Sequence, residues 1–243
     1  MKQTSSALIL AMMLLASCTV PTAQPQSASS AYNEEQRQPG DSTIYGLACE
    51  GCTDSILVFL PFSGGDPDTF DILTAREHHQ VFGRPDIGDE LAIVRNAEDS
   101  TKADRVINID RLKGEWCYLV HPRLKKPVSD TTKMPPLPDS LLQKWMQPRE
   151  YGIEIMRDFS ARAIGRVRPG KEDKQIPVEF PPVKQYREWH IFNGHFILTE
   201  AKRDTSGNQH VINTDTAEIT LLRRDSLRLR FADHEQGYYR RTQ

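Results

Sequence analysis

Between residues 42 and 231 the apolar positions fall mostly into runs of strand length, separated by clusters of Gly, Pro, Ser, Asn and Asp. Ile56-Leu57-Val58-Phe59-Leu60, closed by Pro61, has the form of a strand buried on both faces. Ser63-Gly64-Gly65-Asp66 then reads as a turn, and residues 70–74, 91–94 and 106–109 as further strands, the second entered through Gly88-Asp89. No helical period interrupts them, so residues 42–110 are expected to form a small antiparallel all-β module. Residues 112–120 start a second series. There Trp116, Tyr118 and Val120 share one face of a strand, and Cys117 and Leu119 the other. Residues 122–138, rich in Pro, Lys and Thr, read as a long loop. Asp139 or Ser140 is expected to cap one short helix, with Leu141, Leu142 and Trp145 on one side and Pro148 ending it. Residues 151–156 form the next strand, 168–182 a polar loop, and the remainder a run of hairpins with turns at Ser206-Gly207-Asn208 and Arg224-Asp225. Residues 227–231 alternate strictly between apolar positions (Leu227, Leu229, Phe231) and basic ones (Arg228, Arg230), which is the clearest strand signal of all.

The start of the chain carries a different pattern. Lys2 is followed by an apolar run over residues 7–16 and then by small residues up to Cys18, the layout of a secretory signal too short to span a bilayer. Leu15-Ala16-Ser17-Cys18 resembles the lipobox of bacterial lipoproteins. That resemblance implies that residues 1–17 are removed. In that family the cysteine thiol, here Cys18, is alkylated with diacylglycerol before the cut, and the new amine then takes a further acyl chain such as palmitate. At roughly 0.8 kcal/mol per buried methylene, two or three chains anchor a protein firmly to a membrane. Residues 18–41 are dominated by Pro, Gln, Ser and Ala and read as a disordered tether. Some members of that family carry an acidic cluster after the cysteine that directs them to the cell exterior; residues 19–24 have none, so the resemblance implies the outer membrane with the folded part facing the periplasm. Export sets an oxidising compartment, so a disulfide is expected among Cys49, Cys52 and Cys117, with one thiol left over. The net charge of −2 with mixed signs argues against a nucleic-acid partner.

A second resemblance covers residues 111–243. Leu112-Lys113-Gly114-Glu115-Trp116 looks like the G-x-W opening of a lipocalin barrel. Residues 186–198, turning at Asn193-Gly194, look like its central Trp-containing hairpin. Residues 219–231, with the Asp225 turn, look like the closing strand pair, and Tyr238 would belong to a final strand. The Thr-Asp-Tyr motif of the classical family is missing; Thr214-Asp215-Thr216 is the nearest match and lacks the tyrosine. The resemblance implies a lipocalin-like antiparallel β barrel, like those of Bacteroidetes envelope lipoproteins, with a ligand cavity at its mouth. Trp116, Tyr118, Trp189 and Phe196 either line such a pocket or fill the core of the sheet.

Candidate chemistry is sparse. Cys49-Glu50-Gly51-Cys52 lacks the helix start of a redox motif, the following His of a haem site and the two further ligands of a zinc site, which leaves a disulfide, local or to Cys117. Asp66, Asp68, Asp71 and Glu77 fail as a calcium loop. Phe70 takes a ligand position, and Asp71 stands where the turn needs glycine. Ser63 has no identifiable base, His78-His79 read as a polar turn, and His190 and His195 fall on opposite strand faces. Arg223, Arg224, Arg228 and Arg230 read as a solvated face. No catalytic residue, metal site or cofactor is expected. The sequence thus reads as an envelope lipoprotein that binds a small apolar or lipid-like ligand without chemistry. The alternative is a structural lipoprotein that docks other envelope proteins, and a hydrolase without a recognisable motif is the third reading.

Overall fold

The computed structural model describes residues 39–125, 138–165, 178–204 and 209–242. The signal segment, Cys18, most of the expected tether and the turn at Ser206-Gly207-Asn208 lie outside the described residues. The protein is mostly β, and its strands form two large sheets.

The first sheet holds β1 (Thr43–Ala48), β2 (Ile56–Pro61), β3 (Asp68–Asp71), β4 (Val81–Phe82), β5 (Glu90–Arg95) and β6 (Ala103–Asn108), in the order β3-β2-β1-β5-β6-β4. It curls until β3 meets the β5–β6 hairpin through an isolated bridge between Asp71 and Lys102. Inside the curl, Leu57, Phe59, Phe70, Ile72, Leu91, Ile93 and Val106 make one apolar core. The structure departs from the expected all-antiparallel module in two places. Residues 73 and 74 are not strand but open a short helix, α1 (Leu73–Glu77), where the Asp71 carboxylate accepts the Leu73 N–H and turns the chain. A five-residue helix is too short to show a period in sequence. The two-residue β4 pairs parallel with β6, a contact that no local pattern announces.

Ile109, expected at the end of a strand, instead starts α2 (Ile109–Leu112). Asn108 causes the change. It is fully buried, its side-chain oxygen accepts the Arg111 N–H at 2.9 Å, and its amide donates to Arg84 O and Asp89 Oδ2. An Asn at this position satisfies one of the orphan donors of the helix start.

The second sheet is an almost closed eight-stranded antiparallel barrel. Its strands are β7 (Gly114–Val120), β9 (Arg149–Ile155), β10 (Ala161–Ile164), β12 (Tyr186–Phe192), β13 (His195–Arg203), β14 (Gln209–Leu222), β15 (Ser226–Arg230) and β16 (Glu235–Arg240). The order is β10-β9-β7-β16-β15-β14-β13-β12, and the ends meet where Ser160 bridges Glu188 and the Trp189 N–H donates to Phe159 O. A ribbon of β8 (Arg123–Leu124) and β11 (Val178–Glu179) lies apart from both sheets. The expected helix is α3 (Asp139–Trp145), but Pro138 takes the cap position and neither Asp139 nor Ser140 caps it. None of its residues is buried, so Leu141, Leu142 and Trp145 form no core contact of the kind their spacing promised.

The two sheets keep separate hydrogen-bond ladders but share one apolar cluster. Tyr45, Ala92 and Ile107 on the barrel-facing side of the first sheet, with Phe82, Ile109 and Leu112, pack with Trp116, Ile153, Trp189, Ile191 and Phe196 of the barrel. Each such large side chain contributes roughly 1.5–3 kcal/mol when buried. Polar contacts fix the same junction. The Tyr45 hydroxyl donates to Ile191 O at 2.8 Å, Lys113 Nζ meets the buried Glu90 carboxylate at 2.6 Å, and Asp41 Oδ1 accepts the Asn193 N–H at 3.0 Å. The first sheet therefore plugs one end of the barrel.

Candidate functional site

The plugged base leaves the opposite end of the barrel as the place where a ligand can enter. Strand direction shows what lies there. β7 and β9 run antiparallel, so inward positions pass from Trp116 to Tyr118 on one and from Ile155 through Ile153 to Tyr151 on the other. On β16 the inward series climbs from Arg240 to Tyr238 and Gln236, and on β14 from Ile219 through Ala217 to Asp215. On β12 a bulge between Tyr186 and Glu188 returns Tyr186 to the interior. The interior thus changes from aliphatic and indole at the base to phenolic at the mouth.

Four tyrosines form this upper layer. The rings of Tyr118 and Tyr238 meet edge to face at 5.4 Å, and those of Tyr118 and Tyr151 at 6.3 Å, geometries that aromatic quadrupoles favour. The Tyr151 hydroxyl donates to Pro181 O at 3.1 Å. The Tyr186 hydroxyl donates to Asp215 Oδ2 at 2.5 Å, where Lys184 Nζ also arrives at 2.6 Å; Asn213 donates to Oδ1. Burial works to raise the Asp215 pKa, but the bonds from Lys184 and Tyr186 outweigh it and hold the carboxyl below its usual range. Burial pushes Tyr118, Tyr186 and Tyr238 up from the ordinary phenol value, with the Asp215 bond adding to the rise at Tyr186. All three stay protonated as hydrogen-bond donors. Among the described residues, the half-buried hydroxyls of Tyr118 and Tyr238 have no hydrogen-bond partner.

The four residues expected around a pocket divide between two layers. Trp116, Trp189 and Phe196 are fully buried. Each indole N–H is satisfied, that of Trp116 by Leu112 O at 2.7 Å and that of Trp189 by Met156 O at 2.9 Å. Trp189 also packs against Phe159 and Phe196 at 5.0 and 5.9 Å. These three belong to the packed floor, and Tyr118 alone reaches the mouth. The residues that join it there, Tyr151, Tyr186, Tyr238 and Asp215, were not singled out by the sequence as ligand-facing. The available signal was the inward alternation on β16 and the Asp of Thr214-Asp215-Thr216.

Cys49, Cys52 and Cys117 are all free thiols in the structure, so the expected disulfide is not formed there. The Cys52 thiol turns to Cys49 O at 3.1 Å and Val58 O at 3.5 Å. Cys117 lies on the other face of β7 from Trp116, and burial, with Glu150 nearby, pushes it up to about 11. Among the described residues no group of three or more His, Cys, Asp or Glu side chains is placed to hold a metal ion.

Residues 181–242, which span β12 to β16, match the family described as lipocalin-like. Among solved structures the chain is similar to a lipocalin-like protein from Bacteroides thetaiotaomicron, at 17% identity and a TM-score of 0.29, over 53% of this chain and 95% of that one. No curated protein matches the chain.

Proposed function

We propose that this chain is an envelope lipoprotein, held at the outer membrane by acyl chains on Cys18 and facing the periplasm. Its barrel binds a small, largely apolar or lipid-like ligand without transforming it. One observation carries the reading: among the described residues two half-buried phenol donors, Tyr118 and Tyr238, have no hydrogen-bond partner at the mouth of a barrel whose floor is apolar and plugged. Half-buried donors left open above an apolar floor suit a ligand that has an apolar body and one oxygen acceptor. Asp215, already engaged by Lys184 and Tyr186, fixes the far wall and leaves Tyr118 and Tyr238 as the free donors. Native mass spectrometry of the chain purified from its own membrane tests the reading. A retained small molecule that is lost in the Tyr118→Phe, Tyr238→Phe double variant supports it, and a bare chain that also ignores a fluorescent fatty-acid probe contradicts it.

A second reading, docking of another envelope protein, is favoured by exposed apolar side chains at the same end. Leu119 and Leu124 are 57% and 58% exposed, Val211 and Ile212 are open, and so is Leu141 of α3. Contiguous exposed apolar surface commonly marks an interaction site. The same mass spectrum distinguishes the two readings, because docking predicts a protein adduct in place of a small one.

A further inference from the structure

A second recess, separate from the barrel mouth, opens on the seam between the two sheets. It encloses about 380 Å³ between α1, the β5–β6 hairpin and the Asn193-Gly194 turn of the barrel, and its lining includes His78, Gln80, Val94, Arg105 and His195. That volume lies within the roughly 300–1,000 Å³ typical of small-molecule sites.

Arg105 decides its chemistry. Its Nε donates to Gln80 Oε1 at 2.8 Å and its Nη1 to Gly194 O at 3.0 Å, so neutral acceptors from both sides of the seam pin the head group. No carboxylate pairs with it among the described residues, and Nη2 makes no hydrogen bond there. The neighbouring Asp104 does not supply the missing charge. Asp104 also lines the recess, but it makes no ion pair with Arg105 among the described residues, and its Oδ1 accepts from Asn96 Nδ2 at 2.8 Å. The turn is fitted to the arginine: a Cβ on Gly194 would come within 2.6 Å of Arg105 Cδ, and its φ of +75° favours glycine. His195, which follows the turn, has a buried Nδ1 with no hydrogen-bond partner among the described residues. His78, where α1 ends, brings a second imidazole to the recess. Sequence spacing alone set these two histidines far apart; the docking of the sheets brings them to one cleft.

We infer that this recess binds a small oxyanion, the carboxylate or phosphate of a small organic molecule, with Arg105 as its principal partner. An immobilised guanidinium without a counter-ion offers paired N–H donors matched to such an anion, and little side-chain freedom remains to be lost on binding. His78 and His195 supply further ring nitrogens, and Ala75 and Val94 supply apolar wall. The two sheets share the site, so its ligand stabilises the docked arrangement by an amount that grows with the logarithm of free ligand once the site is filled.

The test follows histidine ring signals of the full chain by NMR during titration with inorganic phosphate and, separately, with succinate, at constant pH and ionic strength with chloride as control. The expected result is saturable movement of the His78 and His195 signals by at least one of the two anions. Binding should weaken at least tenfold in Arg105→Gln and several-fold in His78→Ala. His78 is exposed, so that variant keeps its fold if the arginine variant does not. Tyr118→Phe, at the barrel mouth, should leave this binding unchanged, which separates it from the ligand of the barrel. Response to phosphate alone identifies a phosphoryl ligand, and response to succinate alone a carboxylate. Signals that move no more than with chloride, or that saturate equally in His78→Ala and wild type, overturn the inference.

Discussion

The guanidinium of Arg240 stands 4.3 Å over the indole of Trp116, and this pair explains the glycine two residues before the tryptophan. Arg240 also donates to the backbone carbonyls of Lys113, at 2.8 Å, of Arg224, at 2.7 Å, and of Arg111. A Cβ on Gly114 would overlap Arg240 Nη1, and the φ of +129° there is itself a glycine conformation. Gly114-Glu115-Trp116 is thus one half of a clamp whose other half is the last strand, and the clamp holds α2 against the barrel floor.

Arg240→Met is expected to destabilise the protein by about 2–4 kcal/mol, because it removes a partly desolvated cation–π contact and leaves carbonyl groups short of donors. Gly114→Ala should cost a similar amount for the reciprocal reason. The double variant should lose clearly less than the sum, since both changes break one clamp. Urea unfolding of the three variants measures this, and strict additivity would contradict the clamp.

Gly152 faces the backbone of β7, where an added Cβ would overlap the carbonyl oxygen of Trp116. Backbone cannot swing aside as a flexible side chain can. Gly152→Ala should therefore lower stability by about 3 kcal/mol or more and loosen the pairing of Cys117 with Gly152. A melting temperature equal to wild type would show that the two strands are not this close.

Cys117 gives an alkaline dependence. Its thiol rises from an ordinary 9.0 to about 11, chiefly through burial. A group whose pKa is raised by folding contributes stability that is fully present below the unfolded value, near 9, and is lost as pH rises through about 11. Unfolding free energy should fall over that window in wild type and fall less in Cys117→Ala. The same protonation makes Cys117 slow to alkylate in the native state at pH 8, and peptide mass spectrometry after brief iodoacetamide treatment checks it. Rapid native alkylation at Cys117 would contradict its burial.

Anchoring is tested at Cys18. Cys18→Ala should leave an unprocessed or soluble product, because no acyl chain can then be attached. Fractionation of cells expressing both forms reads the outcome, and an unchanged membrane fraction would remove the lipoprotein reading.

Much of the barrel was legible because its signals are local. The alternation of Leu227 and Leu229 with Arg228 and Arg230 places β15, and the Asn193-Gly194 turn, with φ of +49° and +75°, places the β12–β13 hairpin. The helices of the first segment were not legible. α1 spans five residues, and α2 begins because the Asn108 side chain finds the Arg111 N–H, a contact that strand-like Val106 and Ile107 obscure. The candidate site was half legible for a related reason. Alternation from Trp116 to Tyr118 is visible in seven residues of one strand. The meeting of Tyr118 with Tyr238, and of Tyr186 with Asp215, depends on ladders closing across the barrel, as does the meeting of His78 with His195 across the seam. Those distances are set by topology and leave no mark on local spacing.

The tyrosine layer at the barrel mouth is proposed to hold a small ligand. That proposal is tested most directly by native mass spectrometry of the membrane-derived protein beside its Tyr118→Phe, Tyr238→Phe variant. A discrete small-molecule adduct is expected on the wild-type chain, with at least a tenfold lower occupancy in the variant and folding unchanged. A wild-type chain without adduct that also fails to take up a fluorescent fatty acid, or equal occupancy in both proteins, would contradict it.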